Sequence, residues 1–154
     1  MIGELYGCEI HIVCGHLIVV GNHKVPSIIL LLDHEDANNV VSGVLDFKGC
    51  KVYKSRTVHD CLSTLIRLEM EIDVVLVKKE LAIDKNFMLV SNIRKINPGT
   101  MIIIMADFIN EDEKVIENGV DEVVLTPMSA ENLGDKILML IAKKELKEIK
   151  EKNG

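Results

Sequence analysis

Ile28-Ile29-Leu30-Leu31-Leu32-Asp33 is a run of five aliphatic residues closed by an acid. Side chains in a strand alternate between the two faces of a sheet. A run with no polar position therefore predicts a strand buried on both sides, as in the centre of a parallel sheet covered by helices. Downstream the period lengthens. Val40, Val41, Val44 and Leu45 share one face of a helix expected over residues 37–47, with Gly49 as its stop.

The alternation then repeats. A strand is expected over 50–53, and a helix over 57–68 with Val58, Cys61, Leu62, Leu65 and Ile66 inward. A third strand, 73–77, precedes a helix over 87–96, which Pro98-Gly99 stops because proline disfavours helix in the residue before it. A strand at 101–105 follows, then a helix over 111–118 carrying Val115 and Ile116 and ending at Gly119. A strand at 122–125 and a last helix, capped by Ser129 and running to about 150, complete five βα units. The fold class is α/β, a doubly wound five-stranded parallel sheet. Such sheets bind ligands at the carboxyl ends of their strands, which directs attention to Asp33, Lys78, Ala106 and Thr126.

Residues 1–26 precede this region. Residues 9–14, Gly15-His16 and residues 17–20 read as two strands joined by a type II′ turn with glycine first, so 1–26 is an N-terminal β-hairpin extension and 27–150 a second domain. An isolated hairpin is marginal, and pairing with a second copy in a homodimer would satisfy it. Cys8, His11, Cys14, His16 and His23 lie in this segment, but their spacing matches no standard zinc module and alternation divides them between two faces. Metal binding is not expected.

The 154 residues are 48% hydrophobic and 27% charged, ordinary for a globular protein, with a net charge of −6. Without clustered Lys and Arg the chain is a poor candidate for nucleic acid or an anionic membrane surface. Its C-terminal Lys and Glu residues alternate and nearly cancel, as on a solvated helix face. No run approaches a membrane span and no secretion signal is present, so a cytoplasmic protein is expected. Cys8, Cys14, Cys50 and Cys61 form no Cys-x-x-Cys pair and are read as reduced thiols.

Three stretches carry a resemblance. They are residues 28–33; Ile93-Arg94-Lys95-Ile96-Asn97-Pro98-Gly99-Thr100 with the strand that follows; and residues 119–133, including Thr126-Pro127. Their order and spacing, over roughly 27–141, resemble the receiver domain of two-component response regulators, a flavodoxin-like fold. In that family an acidic pair holds Mg²⁺, an aspartate accepts the phosphoryl group, and a hydroxyl and a lysine contact it. Carried over by position, the acidic pair falls on Leu32 and Asp33, the nucleophile on Lys78, the hydroxyl on Ala106 and the lysine on Thr126. One acid survives. Phosphoryl transfer depends on a positioned acceptor and metal neutralisation, so the resemblance implies a pseudo-receiver that is not phosphorylated.

Two further expectations concern this degenerate pocket. Lys78 would pair with Asp33 and stand in for the metal, the alternative being that Lys78 and Lys79 both point to water. Phe108, at the position of the family's switch aromatic, would be a fixed packing residue. The resemblance implies a stand-alone, non-enzymatic protein in phosphorelay-type signal transduction. It would act on protein partners through the face of the fourth and fifth helices and the fifth strand, with Ile109, Val115, Val123 and Leu125 as candidate contacts.

The rival reading is a small-molecule-binding or catalytic domain using Asp33, His34, Lys78 and Asp107. No cofactor is expected. Asp33 and His34 are adjacent, and Ala37 stands where a cobalamin-binding Asp-x-His-x-x-Gly motif needs glycine. No Gly-x-Gly-x-x-Gly follows the first strand for a dinucleotide.

Overall fold

The structure is a computed structural model that describes residues 2–5, 8–13, 16–22, 25–32, 34–68 and 71–153. Five parallel strands are formed by β4 (Ser27–Leu31), β5 (Lys51–Lys54), β6 (Val74–Lys78), β7 (Met101–Ala106) and β8 (Glu122–Leu125), in the order β5-β4-β6-β7-β8. The helices are α1 (Glu35–Phe47), α2 (Val58–Leu68), α3 (Lys79–Ile96) and α4 (Ala130–Asn153). This is the doubly wound α/β sheet that the alternation of periods predicts.

Alternation along each strand builds two cores from one sheet. Ile29, Leu31, Val75, Val77, Ile102 and Ile104 face one side, where Cys61 and Leu65 of α2 and Leu89, Val90 and Ile93 of α3 cover them. Ile28, Leu30, Val74, Leu76 and Ile103 face the other, against Val41 and Leu45 of α1 and Leu133, Ile137 and Ile141 of α4. Every residue of β4 is buried, and after Ser27 at its start the strand is wholly aliphatic. Burial pushes the Cys61 thiol up to about 12, and Cys50 and Cys61 are both free.

The amino-terminal edge of the sheet is stitched by side chains. The Asp73 carboxylate accepts from the Ser27 N–H at 2.8 Å, and Asp121 accepts from the Ile102 N–H at 2.7 Å. The buried Thr100 hydroxyl donates to the Ile72 carbonyl at 3.0 Å. Arg94 spreads its guanidinium over the carbonyls of Pro98, Thr100 and Gly119 and the carboxylate of Asp121. These bonds join the starts of β4, β6, β7 and β8.

Several local expectations need correction. Val40 and Ile66 are 59% and 58% exposed, because each sits one position off the buried stripe of its helix. The helix expected over 111–118 is only a 3₁₀ turn, Glu111–Glu113. A reciprocal capping box between Asn110 and Glu113 starts it, and Lys114 in the left-handed region (φ 49°) stops it. The helix expected from 87 follows a break at residues 84–87, where Lys85, Asn86 and Phe87 all have positive φ, but an unexpected helical segment from Lys79 precedes that break and belongs to α3. The stops at Gly49 (φ 92°) and Pro98-Gly99 stand as expected, whereas Gly119 (φ 103°) ends a turn rather than a helix, and the Ser129 hydroxyl accepts from the Asn132 N–H at 3.1 Å.

A separate antiparallel sheet comprises β1 (Ile2–Leu5), β2 (Cys8–Val13) and β3 (His16–Asn22), in that order. It has three strands where a two-stranded hairpin is expected. Val13 pairs with His16, so His16 is a strand residue rather than part of the turn, while Cys14 and Gly15 lie outside the described residues. The side chains of Cys8, His11 and His16, and the whole of His23, also lie outside them. By internal contacts the chain divides into two compact units, one of residues 26–141 and one of residues 1–25 with 142–154. Among the described residues no helix is long and apolar enough to cross a membrane.

Candidate functional site

Parallel register delivers the strand ends to one place. Leu31 pairs with Val77, Lys78 with Met105 and Ala106 with Leu125, so Leu32, Lys78, Ala106 and Thr126 arrive together at the carboxyl edge. All four line a cavity of about 170 Å³ beside His34, Glu80 and Asp107. Four residues named from sequence thus share one wall. Asp33 lies outside the described residues, and with it the expected Asp33–Lys78 pair.

Much of the cavity lining is aliphatic. Leu32 is 6% exposed, and Ala37, Met105 and Ala106 add further apolar surface. Thr126 closes one side: its N–H donates to the Ala106 carbonyl at 2.9 Å. The Thr126 hydroxyl lies 2.5 Å from Asp107 Oδ1 and 3.3 Å from the Ala106 carbonyl. A hydroxyl has one proton, and the short contact to the carboxylate takes it. This hydroxyl is therefore already engaged by the protein.

Lys79, not Lys78, is the lysine most withdrawn from water among the described residues. Only 7% of its side chain is exposed, which rules out for Lys79 the alternative in which both lysines point to water. Its ammonium meets Glu113 Oε1 at 3.3 Å, donates to the Phe108 carbonyl at 3.0 Å and sits 4.2 Å from the centroid of the Phe108 ring. Glu113 also accepts from the Asn110 N–H at 3.0 Å. That backbone bond first, and Lys79 with it, holds the Glu113 carboxyl below its ordinary range despite some desolvation.

Phe108 is consequently not a core packing residue. It is 59% exposed, with its backbone tied from below by Lys79. The candidate docking residues also divide: Val115 is buried, Ile109 and Val123 are partly buried against the core, and Leu125 is 55% exposed. Ile116, at 57%, joins Phe108 and Leu125 on the surface instead. Sequence reading missed Lys79 and Glu113 as a unit. The available signal was the Asn-x-x-Glu spacing at Asn110 and Glu113, which marks a capping box rather than a long helix.

Similarity to solved structures comes with this geometry. A response regulator from Thermotoga maritima matches with a TM-score of 0.68 at 18% identity, over 77% of this chain and 99% of that one. The fold is that of a receiver domain. A CheY-like response regulator receiver domain protein from Methanospirillum hungatei matches with a TM-score of 0.68 at 21% identity, over 81% and 99% of the two chains. An orphan response regulator of H. pylori matches with a TM-score of 0.64 at 18% identity, over 75% and 96%. No family model matches the sequence, and no curated protein is similar to it.

Proposed function

We propose that this receiver-fold protein is a pseudo-receiver in signal transduction that takes no phosphoryl group, catalyses no reaction and acts by contact with a protein partner. The observation that carries the reading is Lys78 at the last position of β6, on one cavity wall with Leu32, Ala106 and Thr126. At those positions the resemblance calls for the acceptor aspartate, an acid, a hydroxyl and a lysine. An ammonium cannot accept phosphate, and without the acid at Leu32 the site lacks half of a metal-holding pair.

Incubation with acetyl phosphate and Mg²⁺ followed by intact mass measurement tests this. The mass stays unchanged, and Lys78→Asp does not restore labelling, because Leu32, Ala106 and Thr126 still differ. A stable phosphoryl adduct on the wild-type chain would sink the reading. The partner surface is the flank that exposes Phe108, Ile116 and Leu125. The edge strands β1 and β3 of the antiparallel sheet offer backbone groups to a second copy, which would give a homodimer.

The cavity itself favours a second reading, a small-molecule-binding domain at Lys78 and His34. A compound that raises the melting temperature, and loses that effect in Lys78→Met, would support it.

A further inference from the structure

The segment that joins β7 to the 3₁₀ turn, residues 107–110, is exposed apart from the partly buried Ile109. It has little apolar packing to fix its path, and loops of that kind ordinarily sample several conformations. A buried charge takes the place of the packing.

That charge is Lys79, the first residue of α3, with 7% of its side chain exposed. An ammonium carries three N–H groups, and here its partners all lie on one short stretch of chain. They are the Phe108 carbonyl at 3.0 Å, Glu113 Oε1 at 3.3 Å and the Phe108 ring, whose centroid is 4.2 Å away. Glu113 Oε1 also accepts from the Asn110 N–H at 3.0 Å, so one oxygen ties both ends of the capping box to the lysine. Glu113 Oε2 is buried with no partner among the described residues, which leaves the carboxylate dependent on Lys79 and Asn110. Moving this segment away would strand a cation in the interior without its counter-charge.

The placing of Phe108 follows. Its carbonyl and its ring both rest on the ammonium, so the ring cannot turn toward the core without giving up that contact, and it stands 59% exposed.

We propose that Lys79 is the positioning residue of the partner surface, holding residues 108–113 in one conformation with Phe108 outward. This rests on the reading of the flank with Phe108, Ile116 and Leu125 as the partner surface, and it adds how that surface is regulated: it is presented permanently, not on demand.

Hydrogen exchange and fluorine NMR on the full chain, with neither partner nor phosphate donor, test it. The Glu113 amide, bonded to the Asn110 carbonyl at 3.0 Å, reports the turn, and the Ile102 amide reports the sheet. In Lys79→Met the Glu113 amide exchanges about tenfold faster or more, relative to Ile102 in the same protein, because two hydrogen bonds to a charged group are gone. The double variant Lys79→Met, Glu113→Gln leaves no stranded charge and loosens the turn in the same way. With 4-fluorophenylalanine in place of the three phenylalanines, the Phe108 resonance is identified by its loss in Phe108→Leu. It is single and sharp in the wild type and shifted or split in both lysine variants. A split or exchange-broadened resonance in the wild type overturns the proposal, and so does a Glu113 amide that gains no more than Ile102 in the variants. A phosphoryl adduct in the acetyl phosphate experiment would remove the pseudo-receiver reading and leave the lock standing, so the two failures are told apart.

Discussion

Lys79 brings its charge to a place where 7% of its side chain meets solvent, and it is held there by a residue 34 positions away. The Glu113 carboxyl is depressed in the folded chain, so its contribution to stability is complete above its unfolded value of 4.5. It is lost as pH falls through the lower folded value. In Glu113→Gln that contribution is absent at every pH. The difference in urea midpoint between the two proteins is therefore largest near neutrality and shrinks below pH 4.5. A constant difference across that range would show that the carboxylate's ionisation does not matter. The sequence made Lys78 legible because a strand end is a fixed landmark. Lys79 is legible only from the turn that meets it, since two adjacent lysines read as solvent-facing until a tertiary partner is known.

At the scale of the element, the strands were the most readable part. Their burial on two faces forces aliphatic runs, and βα alternation leaves little freedom in their order. Helices that depend on a local stop were less readable. Val115 and Ile116 look like one face of a helix, but the capping box at Asn110 and the left-handed Lys114 confine the segment to a 3₁₀ turn. The break in α3 has the same origin in backbone conformation. Lys85, Asn86 and Phe87 hold φ of 52°, 57° and 60°, a region that costs a residue with a Cβ about 1–2 kcal/mol. Lys85 is exposed, so Lys85→Gly removes strain without opening a cavity. Its greater unfolded-state entropy offsets part of the gain, leaving a stabilisation of about 0.5–1 kcal/mol in urea denaturation. A destabilised Lys85→Gly chain would mean that the side chain contributes more than its backbone costs.

Across the whole molecule, the parallel sheet and the convergence of Lys78, Ala106 and Thr126 were legible from spacing, because parallel register carries every strand end to one edge, while Leu32 was named only through the resemblance. A second cavity, of about 360 Å³, was not, for it needs Asn38 on α1 brought near Lys54 at the end of β5 and Arg56 just beyond it. Nor was the role of Arg94, whose four contacts lie on segments 98–100 and 119–121. Arg94→Met loses about 3 kcal/mol, chiefly from the carbonyl contacts, since Asp121 is partly solvated. Arg94→Lys recovers little of it, because an ammonium lacks the planar fork that reaches several acceptors at once. Equal urea midpoints for Arg94→Lys and wild type would refute that account. The stitched amino edge also sets the order in which the molecule comes apart. In native-state hydrogen exchange the Ile102 and Asp121 amides open only with global unfolding, whereas the Thr126 amide, at the opposite edge, opens through smaller excursions. The domain thus frays from its carboxyl rim toward a closed hem.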